Sequence, residues 1–348
     1  MRKFLAYPFP PLLYWLFLSG PAGGLLAPGH LYAQDRSYQE MRAQVVQLYG
    51  EEKFAEAADI LTGALEQYPD HLMANCVNLA LMSLRLGSVE KGLEALGYGL
   101  DHGIWYGKYT FLDPTWDPLK GAEGWEAFEG RNQNAKDMAA EKVEPRLEVV
   151  LPGNYDPSRE YPLFVALHGG GENVDLFMPN WVSPLLAREF IVAFPQSTQL
   201  VAMDGYNWTE DIHLSLREIG EAYEQVLAEF PVDQDQIFVG GFSSGGVAAL
   251  DVVLNGTLPV RGFVVLCPAM PEDFSPELVR EALGRGVRGT LLTTEMDGRV
   301  DQQRQMADIM NEVGLPLEFH ITPDIGHWYP EDLAARIDGA IAHIRGET

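Results

Sequence analysis

Cysteine is nearly missing: the 348 residues hold two, Cys76 and Cys267. Each lies in an apolar run, so both are expected as buried thiols rather than a bridge, and they cannot supply a metal site. Positive charge is scarce as well, with 24 Lys and Arg against 50 Asp and Glu and a formal charge of −26. A surface of that sign repels phosphate backbones and anionic lipid heads, which excludes nucleic acid as a partner. Beyond the N-terminal segment there is no apolar run long enough to span a bilayer. A P-loop is absent too, since no Lys with Ser or Thr follows the one glycine triplet. No metal and no organic cofactor is implied.

What is present falls into three parts. Arg2 and Lys3 precede an apolar stretch from Leu12 to Leu18, and small residues follow up to Ala33. A basic start, a short apolar core and a small residue before Gln34 predict a secretory signal over residues 1–33, hence an exported protein, periplasmic or secreted. Residues 34–100 are helical in pattern, with Ala and Leu at three- and four-residue spacing in "FAEAADILTGALEQYPDH", "LMANCVNLALMSLRLG" and "SVEKGLEALGYGLDHG". Gly50 and Gly87 each stand just before one of the flanking helices. The arrangement resembles tetratricopeptide repeats, which implies a groove for a peptide or protein partner, or else a packing module. Residues 101–145 read as a Trp-, Gly- and Pro-rich transition, whose Trp105, Trp116 and Trp125 are expected to pack the two domains together.

From Arg146 to the C-terminus the pattern changes. Short β-branched runs ("RLEVVLP", "LFVALH", "FIVAFP", "QIFVGG", "GFVVLCP", "TLLTTE", "LEFHIT") alternate with helical stretches at 211–229, 299–313 and 331–345. Such alternation predicts an α/β domain over 146–348 with a mostly parallel sheet covered on both faces. Chemistry in these sheets gathers beyond the carboxyl ends of the strands.

At one such end stands Gly241-Phe242-Ser243-Ser244-Gly245. It fits G-x-S-x-G, with the strand "QIFVG" before it and the helical "VAALDVVLNG" after it. In a nucleophile elbow the serine adopts a strained backbone that points its oxygen out of the turn, and the flanking glycines remove colliding Cβ atoms. By that register Ser243 is the nucleophile, and Ser244 contributes its backbone N–H. A serine hydroxyl needs a base to take its proton. His327, in the loop "DIGHWYP" between the last strand and the last helix, is the best placed of eight histidines. The base needs a carboxylate to hold its tautomer. Asp297 ends the strand "TLLTTEM", whereas Asp301 lies a turn into the next helix and Asp324 is three residues from the histidine.

The order Ser243, Asp297, His327 resembles that of the α/β-hydrolases. "LHGGGEN" resembles the oxyanion motif of lipases and esterases, which implies a donor at Gly170 or Gly171 beside that of Ser244. His168 within it is expected to serve structure. Together with "DQIFVGGFSSGG" and "GHWYP", the motif looks like the branch holding polyhydroxybutyrate depolymerases, feruloyl esterases, and phospholipase/carboxylesterase and dienelactone hydrolase relatives. That resemblance implies a serine esterase acting on a carboxylic ester through an acyl-enzyme. Trp208, within "DGYNWTED", and Trp328 could line an acyl or alcohol pocket or could equally be packing residues. The alternatives are a peptidase of the same fold and a non-catalytic scaffold whose repeats bind a partner beside a relic hydrolase domain.

Overall fold

The computed structural model describes residues 28–347, with side chains from Arg36 onward. The expected signal segment falls outside them, apart from the helical backbone that begins at Pro28. No helix among the described residues is long and apolar enough to cross a membrane. The chain divides after Glu141 into two compact units.

The first unit is built from α1 (Pro28–Gly50), α2 (Phe54–Gln67), α3 (Leu72–Arg85), α4 (Val89–Asp101) and α5 (Trp125–Ala140). Helical spacing puts Ala57, Leu61 and Ala64 of α2 on one buried stripe. On α4 the buried stripe is Gly92, Ala95, Leu96 and Gly99. Gly99 is required by close approach, because the Tyr106 hydroxyl lies where a Cβ would sit and donates to the Leu96 carbonyl at 2.8 Å. The expected equivalence of Gly50 and Gly87 does not carry into the backbone. Gly87 follows α3 with φ +74°, but after α1 the left-handed residue is Glu52, φ 56°.

The expected transition also needs correction. As far as Glu141 it folds with the helices, and Trp116 and Trp125 belong to the helical unit's own core. Phe111 meets both indoles edge-on at 5.5 and 5.3 Å. Their large apolar area is thus spent inside this unit.

The second unit is a seven-stranded sheet in the order β1-β3-β2-β6-β7-β8-β9. Its strands are β1 (Arg146–Val150), β2 (Tyr161–Leu167), β3 (Ile191–Gln196), β6 (Val232–Phe242), β7 (Gly262–Leu266), β8 (Arg288–Thr294) and β9 (Leu317–Thr322). Only β1 runs antiparallel, against β3. Alternation along the strands sorts side chains to two faces. Val165, Val239, Phe263 and Leu291 pack with α6 (Ile212–Glu229), α7 (Ser244–Asn255), α8 (Pro276–Gly284) and α9 (Val300–Val313). Phe164, Phe238, Val264 and Leu292 pack on the other face, where α10 (Leu333–Arg345) lies. The small hairpin of β4 (Gln199–Ala202) and β5 (Gly205–Asn207) was not anticipated. Its strands of four and three residues are too short to show an alternation. This is the α/β-hydrolase fold: a mostly parallel sheet between helical layers, with a tight turn between a central strand and its helix.

Candidate active site

Strand β6 enters the turn at Phe242, and α7 leaves it at Ser244. Between them Ser243 has φ 52° and ψ −113°, a conformation that L-residues rarely adopt. Neighbouring backbone holds it there. The Ser243 amide donates to the Leu266 carbonyl of β7 at 2.9 Å, and its carbonyl accepts the Val247 amide at 3.0 Å. The end of β2 passes directly beneath the turn. A Cβ on Gly241 would stand 2.5 Å from the Leu167 carbonyl oxygen, and one on Gly245 would collide with the carbonyls of Leu167 and His168. The two glycines are therefore what the close approach demands.

Three side chains from three loops meet beyond the strand ends. The Ser243 hydroxyl and His327 Nε2 stand 2.8 Å apart, and His327 Nδ1 lies 2.8 Å from Asp297 Oδ2. The imidazole reaches Asp297 and neither Asp301, which opens α9, nor Asp324, whose amide donates to Glu295. Asp297 is buried, while the His327 side chain keeps 34% of its exposure, so the imidazole opens to solvent and the carboxylate does not. Burial works against the Asp297 charge. The hydrogen bonds from His327 and from the Arg299 amide outweigh it and hold the carboxyl well below the usual carboxylate range. Gln303 Nε2 adds a longer contact to Oδ2 at 3.3 Å.

Behind this pair lies Cys267, fully buried at the end of β7 with φ 51°. Its sulfur, an Asp297 oxygen and a His327 nitrogen all lie within 4.8 Å of one another. Burial pushes the thiol up to about 12, so the sulfur stays protonated beside a carboxylate and an imidazole already bonded to each other. Cys76 is likewise a free, buried thiol.

The glycine strap after β2 is partly committed. The Gly171 amide donates to the Tyr206 carbonyl at 2.7 Å, which removes the expected choice of Gly171 as an oxyanion donor. The Gly169 amide donates to Glu172 Oε2 at 2.8 Å. Gly170 and Ser244 are left, and they are near each other: a Cβ on Gly170 would come 3.3 Å from Ser244 Oγ. That Oγ is buried with no hydrogen-bond partner. His168 is fully buried. Its Nδ1 donates to the Gly169 carbonyl at 2.8 Å, its Nε2 accepts the Ser197 amide at 3.2 Å, and burial lowers its pKa to about 4. It is a neutral brace for the strap.

The two candidate pocket residues part company. Trp208 is 0% exposed, packed in the core with its ring 5.1 Å from His168, so it cannot touch a substrate; this corrects the expectation. Its place in a polar stretch masked the burial. Trp328 is 47% exposed, directly after His327, and borders a groove of about 310 Å³ with Asn180, Val182, Tyr329 and Glu331. Glu172 and Tyr329 were not singled out from the sequence, although Glu172 directly follows the glycine triplet and Tyr329 is two residues from His327.

No family model matches the chain. The mouse prolyl endopeptidase FAP is 24% identical over 145 residues, 38% of this chain and 19% of that protein. Its human counterpart is 22% identical over 160 residues, 43% and 21% of the two chains. The chain thus spans about a fifth of the length of the curated relatives it matches. Among solved structures, an uncharacterized protein from Bacillus cereus ATCC 10987 is similar with a TM-score of 0.51 and 22% identity, over 89% of this chain and 99% of that one. That likeness is one of fold.

Proposed function

We propose that this protein is a serine hydrolase whose second unit cleaves carboxylic esters through an acyl-enzyme. The observation that carries the reading is the unbroken chain from Ser243 Oγ through His327 to Asp297, with 2.8 Å at each step. Ser243 Oγ attacks the ester carbonyl carbon as its proton passes to His327 Nε2, and Asp297 steadies the imidazolium that forms. The carbonyl oxygen takes up the negative charge facing the amides of Ser244 and Gly170. The C–O bond to the alcohol then breaks, and His327 returns the proton to the leaving oxygen. A water molecule, deprotonated by His327, attacks the acyl carbon and frees the acid, and Ser243 regains its proton. None of these steps calls for a metal or an organic cofactor. Trp328 and its groove are the surface proposed to receive an apolar part of the substrate.

A peptidase is the second reading, supported by the stretch of likeness to prolyl endopeptidase FAP. The same residues can cleave an amide, whose poorer leaving group makes greater demands on His327 as an acid. The helical unit is proposed as a tetratricopeptide-like module that receives a peptide or protein partner, and the protein as an exported one. Labelling with a fluorophosphonate probe, followed by rates on esters of graded acyl length, a feruloyl ester and a prolyl-peptide anilide, tests the reading. Labelling at Ser243 with turnover confined to the anilide would replace esterase by peptidase, and no labelling at all would point to the non-catalytic scaffold.

A further inference from the structure

Glu172 stands outside the Ser–His–Asp arrangement yet is bonded to both segments that must face the reacting carbonyl. Its Oε2 accepts the Gly169 amide at 2.8 Å, one residue before Gly170. The same carboxylate accepts the Tyr329 hydroxyl, at 3.0 Å to Oε1 and 2.9 Å to Oε2. Tyr329 is buried, and its ring lies 4.3 Å from Phe242, whose own ring lies 4.9 Å from the His327 imidazole. The fit at the strap is tight: a Cβ on Gly169 would come 2.7 Å from Glu172 Oε2 and 2.8 Å from the Phe242 ring. The main chain of Glu172 is fixed too, since its carbonyl accepts the Tyr206 amide at 2.9 Å beside the Gly171 bond to the same residue.

A part-buried carboxylate is costly unless it is bonded, and a surface loop has no need of one. Burial raises the Glu172 carboxyl, while the Gly169 amide, the Tyr329 hydroxyl and the nearby His327 oppose the rise. Tyr329 in turn is pushed far above the usual phenol range by its burial beside Glu172, so it remains a donor at any working pH.

We propose that Glu172 is a positioning residue which, through Tyr329, locks the oxyanion strap to the histidine loop, so that the Gly170 amide and the His327 imidazole are set against the same carbonyl group. The inference rests on reading Ser243, His327 and Asp297 as an acyl-transfer site. The groups that face His327 are Ser243, Asp297, the neutral Cys267 thiol, the Phe242 ring and Glu172. Asp297 and Glu172 are the two carboxylates among them, and at Glu172 burial works against the charge that the Gly169 amide, the Tyr329 hydroxyl and His327 favour.

The test uses the full chain with Tyr329→Phe, Glu172→Gln and the two combined. Tyr329→Phe deletes one oxygen and leaves the ring packing, so it is the variant least prone to misfold. Both single variants are expected to lower kcat on a small activated ester by about 10- to 100-fold, with KM within a few-fold, the scale of a misplaced reacting group. The double variant is expected to be no worse than the poorer single one, because each change cuts the same tie. In both single variants the Gly169 and Gly170 amide resonances, followed by NMR, are expected to move, and in Tyr329→Phe the disturbance reaches the strap from the histidine loop through Glu172. Full kcat in either single variant, or multiplied losses in the double, would overturn the positioning role. If the parent protein neither labels nor turns over, the hydrolase reading fails separately, and unmoved Gly169 and Gly170 amide resonances in Tyr329→Phe then overturn the tie without reference to activity.

Discussion

Asp297 and His327 are joined by a 2.8 Å hydrogen bond in which the carboxylate is buried and the imidazole partly exposed. The exposures set the division of labour. A base must exchange protons with substrate and solvent, while its partner must stay ionised and fixed.

The first consequence is a pH dependence with a defined sign. The folded Asp297 carboxyl is held low, so the stability it contributes is present in full above the ordinary value of about 3.9 and is lost as pH falls towards the folded value. Above that range Asp297 does not titrate, and loss of activity on acidification belongs to protonation of His327. We expect kcat/KM to rise with pH through one ionisation and level off. A profile flat down to roughly pH 4 would remove His327 as the base, since an ordinary histidine is charged there. Asp297→Asn should keep the fold and lower kcat by about 10⁴-fold through the wrong tautomer.

The two serines of the elbow should behave unequally. Ser243→Ala deletes the attacking atom, and a loss of about 10⁴-fold or more in kcat is expected, together with loss of fluorophosphonate labelling. Ser244→Ala keeps the backbone N–H and removes a buried hydroxyl that has no partner. Most activity should survive, and thermal stability should hold or rise slightly. A silent Ser244→Ala beside an active Ser243→Ala would place the nucleophile one residue later.

Much of this arrangement was legible because its signals are local. All seven runs read as strands are the seven strands of the large sheet, and the central ones carry the short, continuously apolar stretch of a buried parallel strand. The elbow could be read because Gly241 and Gly245 are forced by the β2 carbonyls. What could not be read depends on contacts between distant segments. Gly171 is taken by Tyr206 of β5, and Glu172 by Tyr329, which lies 157 residues away. No periodicity or spacing announces either bond. For Trp208 the sequence leaves pocket and packing open, and the contact with His168, forty residues earlier in the chain, decides for packing.

Crowding at the elbow gives a stability prediction. A Cβ on Gly245 would collide with two backbone carbonyls at the end of β2, which cannot move without shifting the strand. A Cβ on Gly246 would meet the Gly241 carbonyl at 3.2 Å and the Pro268 Cβ at 3.3 Å, a tight fit that small shifts relieve. Gly245→Ala should therefore cost at least the roughly 1–3 kcal/mol of overpacking and abolish activity, and Gly246→Ala distinctly less. Melting curves of the two variants decide it, and equal losses would mean that the elbow is less tightly seated than these distances require.

The last prediction concerns the division of the chain. Ser243, Asp297, His327, the strap and Glu172 all lie beyond Lys142, in a unit with its own two-faced core. The indoles of Trp116 and Trp125 are taken up by the helical unit, so removing that unit does not remove those rings from the hydrolase core. A shortened chain beginning at Lys142 should fold and hydrolyse a small activated ester at a rate close to that of the full chain. Any role of the helices in access or partner choice should appear instead with a polymeric or protein-linked ester. The comparison is of kcat/KM for both chains on both kinds of substrate, with circular dichroism as the check on folding. A folded short chain that is inert even on the small ester would mean that the helical unit completes the active site.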